Sequence, residues 1–135
     1  MKQVNVIRIS SRLKSVSEVE TFAKTLQREL NLDEELFPKI LISVTEAVNN
    51  AIIHGNQIDE NKEVTLQSYC KEDKLTICIK DEGPGFEVAK VPDPCCKENI
   101  EKPGGRGVLI MRSLSDDIRF KNNGSCVEMT FNIKK

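Results

Sequence analysis

Hydrophobic and polar positions change period several times along the chain, and each change marks an element. Residues 3–9 alternate, predicting a strand with Val4, Val6 and Ile9 inward. Residues 10–14 are polar and read as a connection. A helical period follows, with Val19, Phe22, Ala23, Leu26 and Leu30 on one side and Glu18, Lys24, Arg28 and Glu29 on the other. Ser17 with Glu20 three residues later has the form of a capping box, and Asn31 reads as the helix end. Asp33 can cap the next helix. Pro38 is tolerated only near that helix's start or at a kink. Its apolar face is Ile40, Leu41, Val44, Val48, Ala51 and Ile52, and it runs to about His54, with Gly55 as a left-handed cap.

Two alternating runs, 63–70 and 74–80, flank a tight turn at Lys71, Glu72 and Asp73 and predict an antiparallel hairpin. A helical pattern from Gly104 to Leu114 carries Val108, Leu109, Met111 and Leu114. A short strand at 118–120, a turn at Asn122, Asn123 and Gly124, and a final strand at 125–133 complete the chain. Between hairpin and helix lies a connection, 86–103, that contains Pro92, Pro94 and Pro103. Connections this long are uncommon in a small domain unless they act on a ligand, and this one reads as a lid. No repeat or internal boundary divides the chain, so residues 1–135 read as one domain.

Composition narrows the classes. Lys plus Arg number 20 against 21 Asp plus Glu, which gives no basic footprint for nucleic acid. No apolar run is read as long enough to cross a bilayer, and the first residues lack the form of a signal peptide. The five cysteines match no zinc spacing, and Cys78 reads as a core thiol. Cys95 and Cys96 read as free thiols in the lid. Together these features predict a reducing, cytoplasmic setting.

The candidate chemistry is concentrated in three places. Glu46, Asn50 and His54 are four apart, so they form a polar stripe of carboxylate, amide and imidazole beside the apolar face. Asp81 stands where a strand ends and can accept a hydrogen bond from an exocyclic amine such as that of adenine. Gly83 and Gly85 behind it permit a sharp turn and close approach to a flat ring. Gly104, Gly105 and Gly107 precede a helix, whose free N–H groups can receive phosphate. An amide at Asn50 suits Mg²⁺, an oxygen-seeking ion, and Glu46 one turn back can take a proton from an attacking hydroxyl. Taken singly, these features also fit a solvated stripe, an ordinary turn and a flexible joint. Their order along the chain makes one nucleotide site.

Glu46-x-x-x-Asn50, Asp81-x-Gly83-x-Gly85 and Gly105-x-Gly107 resemble the three nucleotide boxes of the GHKL ATPases. Within that superfamily the chain is similar to the small bacterial anti-sigma factor serine/threonine kinases, through 46–55 and the helix after Gly107. The resemblance implies an α/β two-layer sandwich, a mixed and mostly antiparallel sheet with three helices on one face, the Bergerat-type ATP-binding fold. It implies ATP and Mg²⁺, with Glu46 as base, Asn50 as Mg²⁺ ligand and Asp81 on adenine. Gly83, Gly85, Gly104, Gly105 and Gly107 would shape the pocket, flanked by Asn49 and His54. Thr130 resembles a threonine that backs the adenine in some relatives.

Implied partners are an anti-anti-sigma protein of the STAS type as phosphoryl acceptor, a sigma factor held inactive, and a second copy of the chain. Arg106 departs from the pattern, in a place where an apolar residue is often found. It can clamp a phosphate or face solvent, and Lys102 is a second cation for phosphate. The histidine-bearing helices of a sensor kinase are absent from the chain, so it is not read as a whole two-component kinase. The alternatives are an ATP-dependent binding module without transfer activity and a detached domain that phosphorylates histidine.

Overall fold

A computed structural model describes residues 2–83, 105–121 and 125–133. Five strands form one sheet: β1 (Lys2–Ser10), β2 (Glu63–Lys71), β3 (Lys74–Lys80), β4 (Asp117–Lys121) and β5 (Cys126–Asn132). Their order is β1-β2-β3-β5-β4. Helices α1 (Ser17–Leu30), α2 (Leu36–Asn50) and α3 (Gly105–Leu114) pack with it around one core. The α/β sandwich expected from the sequence is present. Its sheet, expected to be mixed and mostly antiparallel, is antiparallel at all four pairings.

Strand alternation decides which residues meet the helices. Val64 and Leu66 of β2, Leu75, Ile77 and Ile79 of β3, and Val127, Met129 and Phe131 of β5 are buried against Phe22, Leu26, Ile40, Val44 and Ile52. Each such side chain contributes about 1.5–3 kcal/mol on burial. The exposed Lys24–Glu20 ion pair on α1 (2.9 Å) is worth about 0.3–0.5 kcal/mol. Packing on the sheet, not surface charge, therefore holds α1.

β1 departs from strict alternation. Its register with β2 shifts between Gln3 and Asn5, a bulge at Val4. Beyond it Ile7 and Ile9 pair with Leu66 and Val64 and share their face, so Val4, Ile7 and Ile9 reach the core and Val6 does not. The start of α1 also differs. A 3₁₀ turn at Leu13–Val16 runs straight into the helix, and Ser17 Oγ donates back to the Lys14 carbonyl (3.1 Å). With no free helix end at Ser17, the capping box does not form. Asn31 does end α1, in the left-handed conformation (φ 50°). Asp33 lies two residues before the N-cap, Glu35, and does not cap α2 with its side chain as expected: its Oδ1 accepts from Glu35 N–H (3.3 Å) and its carbonyl from Leu36 N–H (3.0 Å), a turn ahead of the helix. Pro38 falls in the first turn, where a missing N–H breaks no helical bond.

α2 is the central helix, and its last turn is wider than the rest. Ala51–Gly55 is π-helical, and Asn56 N–H donates to the Ala51 carbonyl (2.8 Å). The left-handed residues that turn the chain away are Gln57 (φ 53°) and Ile58 (φ 57°), not Gly55. Together Leu36–Gly55 is long and apolar enough to cross a membrane by length and composition, at mean hydropathy 1.3, contrary to the sequence reading. In the fold its apolar side is the centre of the core, and Glu46 and Asn50 stand on its other side.

Candidate functional site

Two clusters lie along the C-terminal half of α2. In the first, α3 lays its opening turn against Glu46 and Asn50. A β-carbon on Gly107 would stand 3.0 Å from Asn50 Nδ2 and 3.2 Å from Glu46 Oε2. The i,i+4 spacing therefore brings carboxylate and amide to one backbone point, as the sequence predicts. That point lies in the first turn of α3, which begins at Gly105. First-turn N–H groups have no acceptor within their own helix, and the helix dipole favours negative charge there.

The second cluster forms where the π turn meets the end of β3. Asp81 follows β3, and its N–H donates to the Ser125 carbonyl (2.9 Å). The Gly83 N–H donates to Asp81 Oδ1 (2.8 Å), closing a tight turn. Gly55 packs directly on the Asp81 carboxylate and Gly83 directly on the Gly55 carbonyl, so a β-carbon at either glycine would overlap its neighbour. Gly55 is thus required for space rather than for a left-handed cap. Burial pushes the Asp81 carboxyl above its ordinary range, while the Gly83 hydrogen bond and the charge of Lys62 pull it partly back. The carboxylate is thus half-buried, with one oxygen bonded to the Gly83 N–H and the other against the Gly55 backbone.

Asn56 holds this second cluster in place. Its amide is buried; Nδ2 donates to Ser11 Oγ (2.7 Å) and to the Glu63 carbonyl (3.1 Å), and Oδ1 accepts from Glu82 N–H (2.7 Å). One side chain thereby ties the end of α2 to the β1 connection, to β2 and to the residue after Asp81. The Glu82 carboxylate in turn accepts from Glu63 N–H. Sequence reasoning missed Asn56 and Lys62. Asn56 is polar and directly follows the glycine at the helix end, which was the available signal; its burial depends on tertiary contacts.

Among the other expected residues, Thr130 is misplaced by the sequence reading. It pairs with Thr76 on the sheet face away from the helices, and the two hydroxyls are 3.2 Å apart. Its neighbours Met129 and Phe131 are buried toward the helices, and alternation sends Thr130 the other way. It cannot back a base held beside Asp81. His54 is exposed, because the π turn carries it off the Glu46–Asn50 line, and Asn49 is half-buried. Gly85, Gly104, Lys102, Cys95, Cys96 and the side chain of Arg106 lie outside the described residues.

An antiparallel sheet carrying a long helix with a carboxylate–amide pair, closed by two glycine turns, defines a nucleotide-binding α/β sandwich. Residues 9–131 match the histidine kinase-like ATPase domain, and the chain belongs to that family. ATP is accordingly the nucleotide its fold receives. Its relatives include an anti-sigma F factor of Clostridium perfringens (strain SM101 / Type A), 33% identical over 84% of this chain and 87% of that protein. Anti-sigma F factors of Thermoanaerobacter sp. (strain X514), at 32%, and Oceanobacillus iheyensis, at 31%, align over 86% and 90% of this chain and 87% and 89% of their own. Among solved structures, the RsbU and RsbW domains of Rv1364c from Mycobacterium tuberculosis superpose with a TM-score of 0.68 at 14% identity. That match covers 97% of this chain and 33% of the other, a likeness of fold.

Proposed function

We propose that this protein is an anti-sigma factor and a serine/threonine protein kinase. It transfers the γ-phosphoryl group of ATP to a Ser or Thr of an anti-anti-sigma protein of the STAS type, and it sequesters a sigma factor. The observation that carries the reading is the meeting of Glu46, Asn50 and Gly107 at the first turn of α3. The anti-sigma F factor relatives support the regulatory half. Asp81 takes the exocyclic amine of adenine, and the Gly55–Gly83 contact keeps that wall flat. The first turn of α3 faces the phosphates. Glu46 is the base that accepts the proton of the attacking hydroxyl.

Asn50 and Glu46, brought together beside Gly107, offer oxygen donors of the kind Mg²⁺ prefers. Among the described residues no cluster of three or more His, Cys, Asp or Glu side chains could hold a metal. The protein would therefore contribute the Asn50 amide oxygen beside the Glu46 carboxylate, with phosphate oxygens completing the shell. When bound, the ion neutralises phosphate charge. The protein's own part is positioning: Asn50 and Glu46 are fixed one turn apart on a buried helix, and α3 is seated on both. The setting is cytoplasmic, and the working unit is a homodimer.

The test is incubation with ATP, Mg²⁺ and a panel of STAS proteins. Acid-stable phosphate on one of them is expected. Acid-labile phosphate would point to histidine as acceptor, and no transfer despite ATP binding would leave a nucleotide-dependent binding module.

A further inference from the structure

The sheet face opposite the nucleotide site carries a feature that site does not use. β3 and β5 pair Cys78 with Glu128 and Lys80 with Cys126, so the two cysteines are diagonal neighbours on adjacent strands. Both thiols are buried, and their sulfurs lie 2.7 Å apart. Ordinary nonbonded contact is about 3.5–4.0 Å and a disulfide about 2.05 Å. The pair is therefore past simple packing and within a small side-chain adjustment of a bond. Lys80, Lys121 and Glu128 surround it, and Lys121 Nζ is 3.0 Å from Glu128 Oε1.

We infer that Cys78 and Cys126 are a reversible dithiol–disulfide pair, a redox modification site at the root of the Asp81 turn. The two sulfurs are not equivalent. The hydrogen bond from Cys78 and the charge of Lys80 draw the Cys126 thiol below its ordinary range, while that same bond and burial raise Cys78. Cys126 stands in register between Lys80 and Lys121, and Cys78 between Gln67 and Glu128, so Cys126 is the attacking thiolate and Cys78 the resolving thiol. With hydrogen peroxide as oxidant, the Cys126 sulfur attacks one peroxide oxygen, the O–O bond breaks, and hydroxide leaves. Cys78 sulfur then attacks the resulting sulfenic acid. The S–S bond forms, the S–OH bond breaks, and the Cys78 proton ends in water. Two thiols and one peroxide give one disulfide and two waters. The site adjoins the nucleotide loop by connectivity: Asp81 lies three residues past Cys78, and it donates to the carbonyl of Ser125, the residue before Cys126.

The experiment uses the 135-residue chain with Cys70→Ser, Cys95→Ser and Cys96→Ser, leaving only the pair. After stoichiometric peroxide, alkylation in denaturant should find both thiols blocked. Peptide mapping without reductant should find 78 linked to 126 within one chain, and reductant should release both. Adding Cys78→Ser should stop the reaction at a sulfenic acid trapped by dimedone, and adding Cys126→Ser should leave Cys78 unreacted. The pair is refuted if both thiols stay alkylatable, if oxygen is added without a cross-link, or if links form between chains.

Discussion

Gly55 lies against Asp81 so closely that no β-carbon fits between the π turn of α2 and the carboxylate. The contact couples the end of the central helix to the residue assigned to adenine. Gly55→Ala must push the Asp81 turn outward. It is expected to cost about 1–3 kcal/mol, the range for overpacking, and to lower ATP affinity. Urea denaturation and calorimetry on the purified variant measure both.

Gly107→Ala makes the contrasting case. Its β-carbon would meet the ends of two movable side chains, Asn50 and Glu46, rather than backbone. Stability should change by less than about 1 kcal/mol while phosphoryl transfer falls. A large stability loss with normal transfer would mean that α3 is seated differently.

Asn56→Ala removes a buried amide and leaves the Glu82 N–H and the Ser11 hydroxyl without that partner. An unsatisfied buried group costs about 1–3 kcal/mol, so the loss should reach at least that range. Nucleotide affinity should fall with it, because the Asp81 turn loses its tie to β2. Asn56→Asp keeps the acceptor for Glu82 N–H but turns a buried carboxylate oxygen on the Glu63 carbonyl, so it should be no more stable than Asn56→Ala.

Asp81 should leave a pH signature. Burial raises its folded-state value, so between the ordinary carboxylate value and the raised one the folded protein binds more protons than the unfolded chain. Stability from this group is present at lower pH and is lost as pH rises through the raised value. Asp81→Asn keeps the acceptor for Gly83 N–H without the charge. The difference in urea midpoint, variant minus wild type, should shift in the variant's favour across that window. A flat difference would contradict the burial of the carboxylate.

Much of this arrangement is legible in the sequence because it rests on periodicity. The i,i+4 step brings Glu46 and Asn50 together, and the hairpin of β2 and β3 follows from two alternating runs. Alternation between Met129 and Phe131 also sends Thr130 to the outer face, so its position is legible in the strand's own pattern. Other features depend on contacts distant in sequence. The bulge at Val4, the 3₁₀ entry that cancels the Ser17 cap, and the π turn are tertiary outcomes, and no local propensity marks them. Gly55 is visible as a glycine, but its reason for being one is a side chain 26 positions later, at Asp81.

Glu46→Ala should separate binding from chemistry. General bases typically contribute about 10²–10⁴-fold, so transfer to the STAS acceptor should fall by that order with ATP affinity largely kept. Transfer at the wild-type rate would remove Glu46 from the role of base.

The central claim is that Asp81 and the Glu46–Asn50 pair form one ATP site. Calorimetry of ATP binding with Mg²⁺, on wild type and Asp81→Asn, tests it most directly. Loss of a hydrogen bond to a charged group costs about 1.5–3 kcal/mol, so affinity should fall roughly 10- to 100-fold in the variant. Equal affinities, or no binding by the wild type at millimolar ATP, would contradict the account.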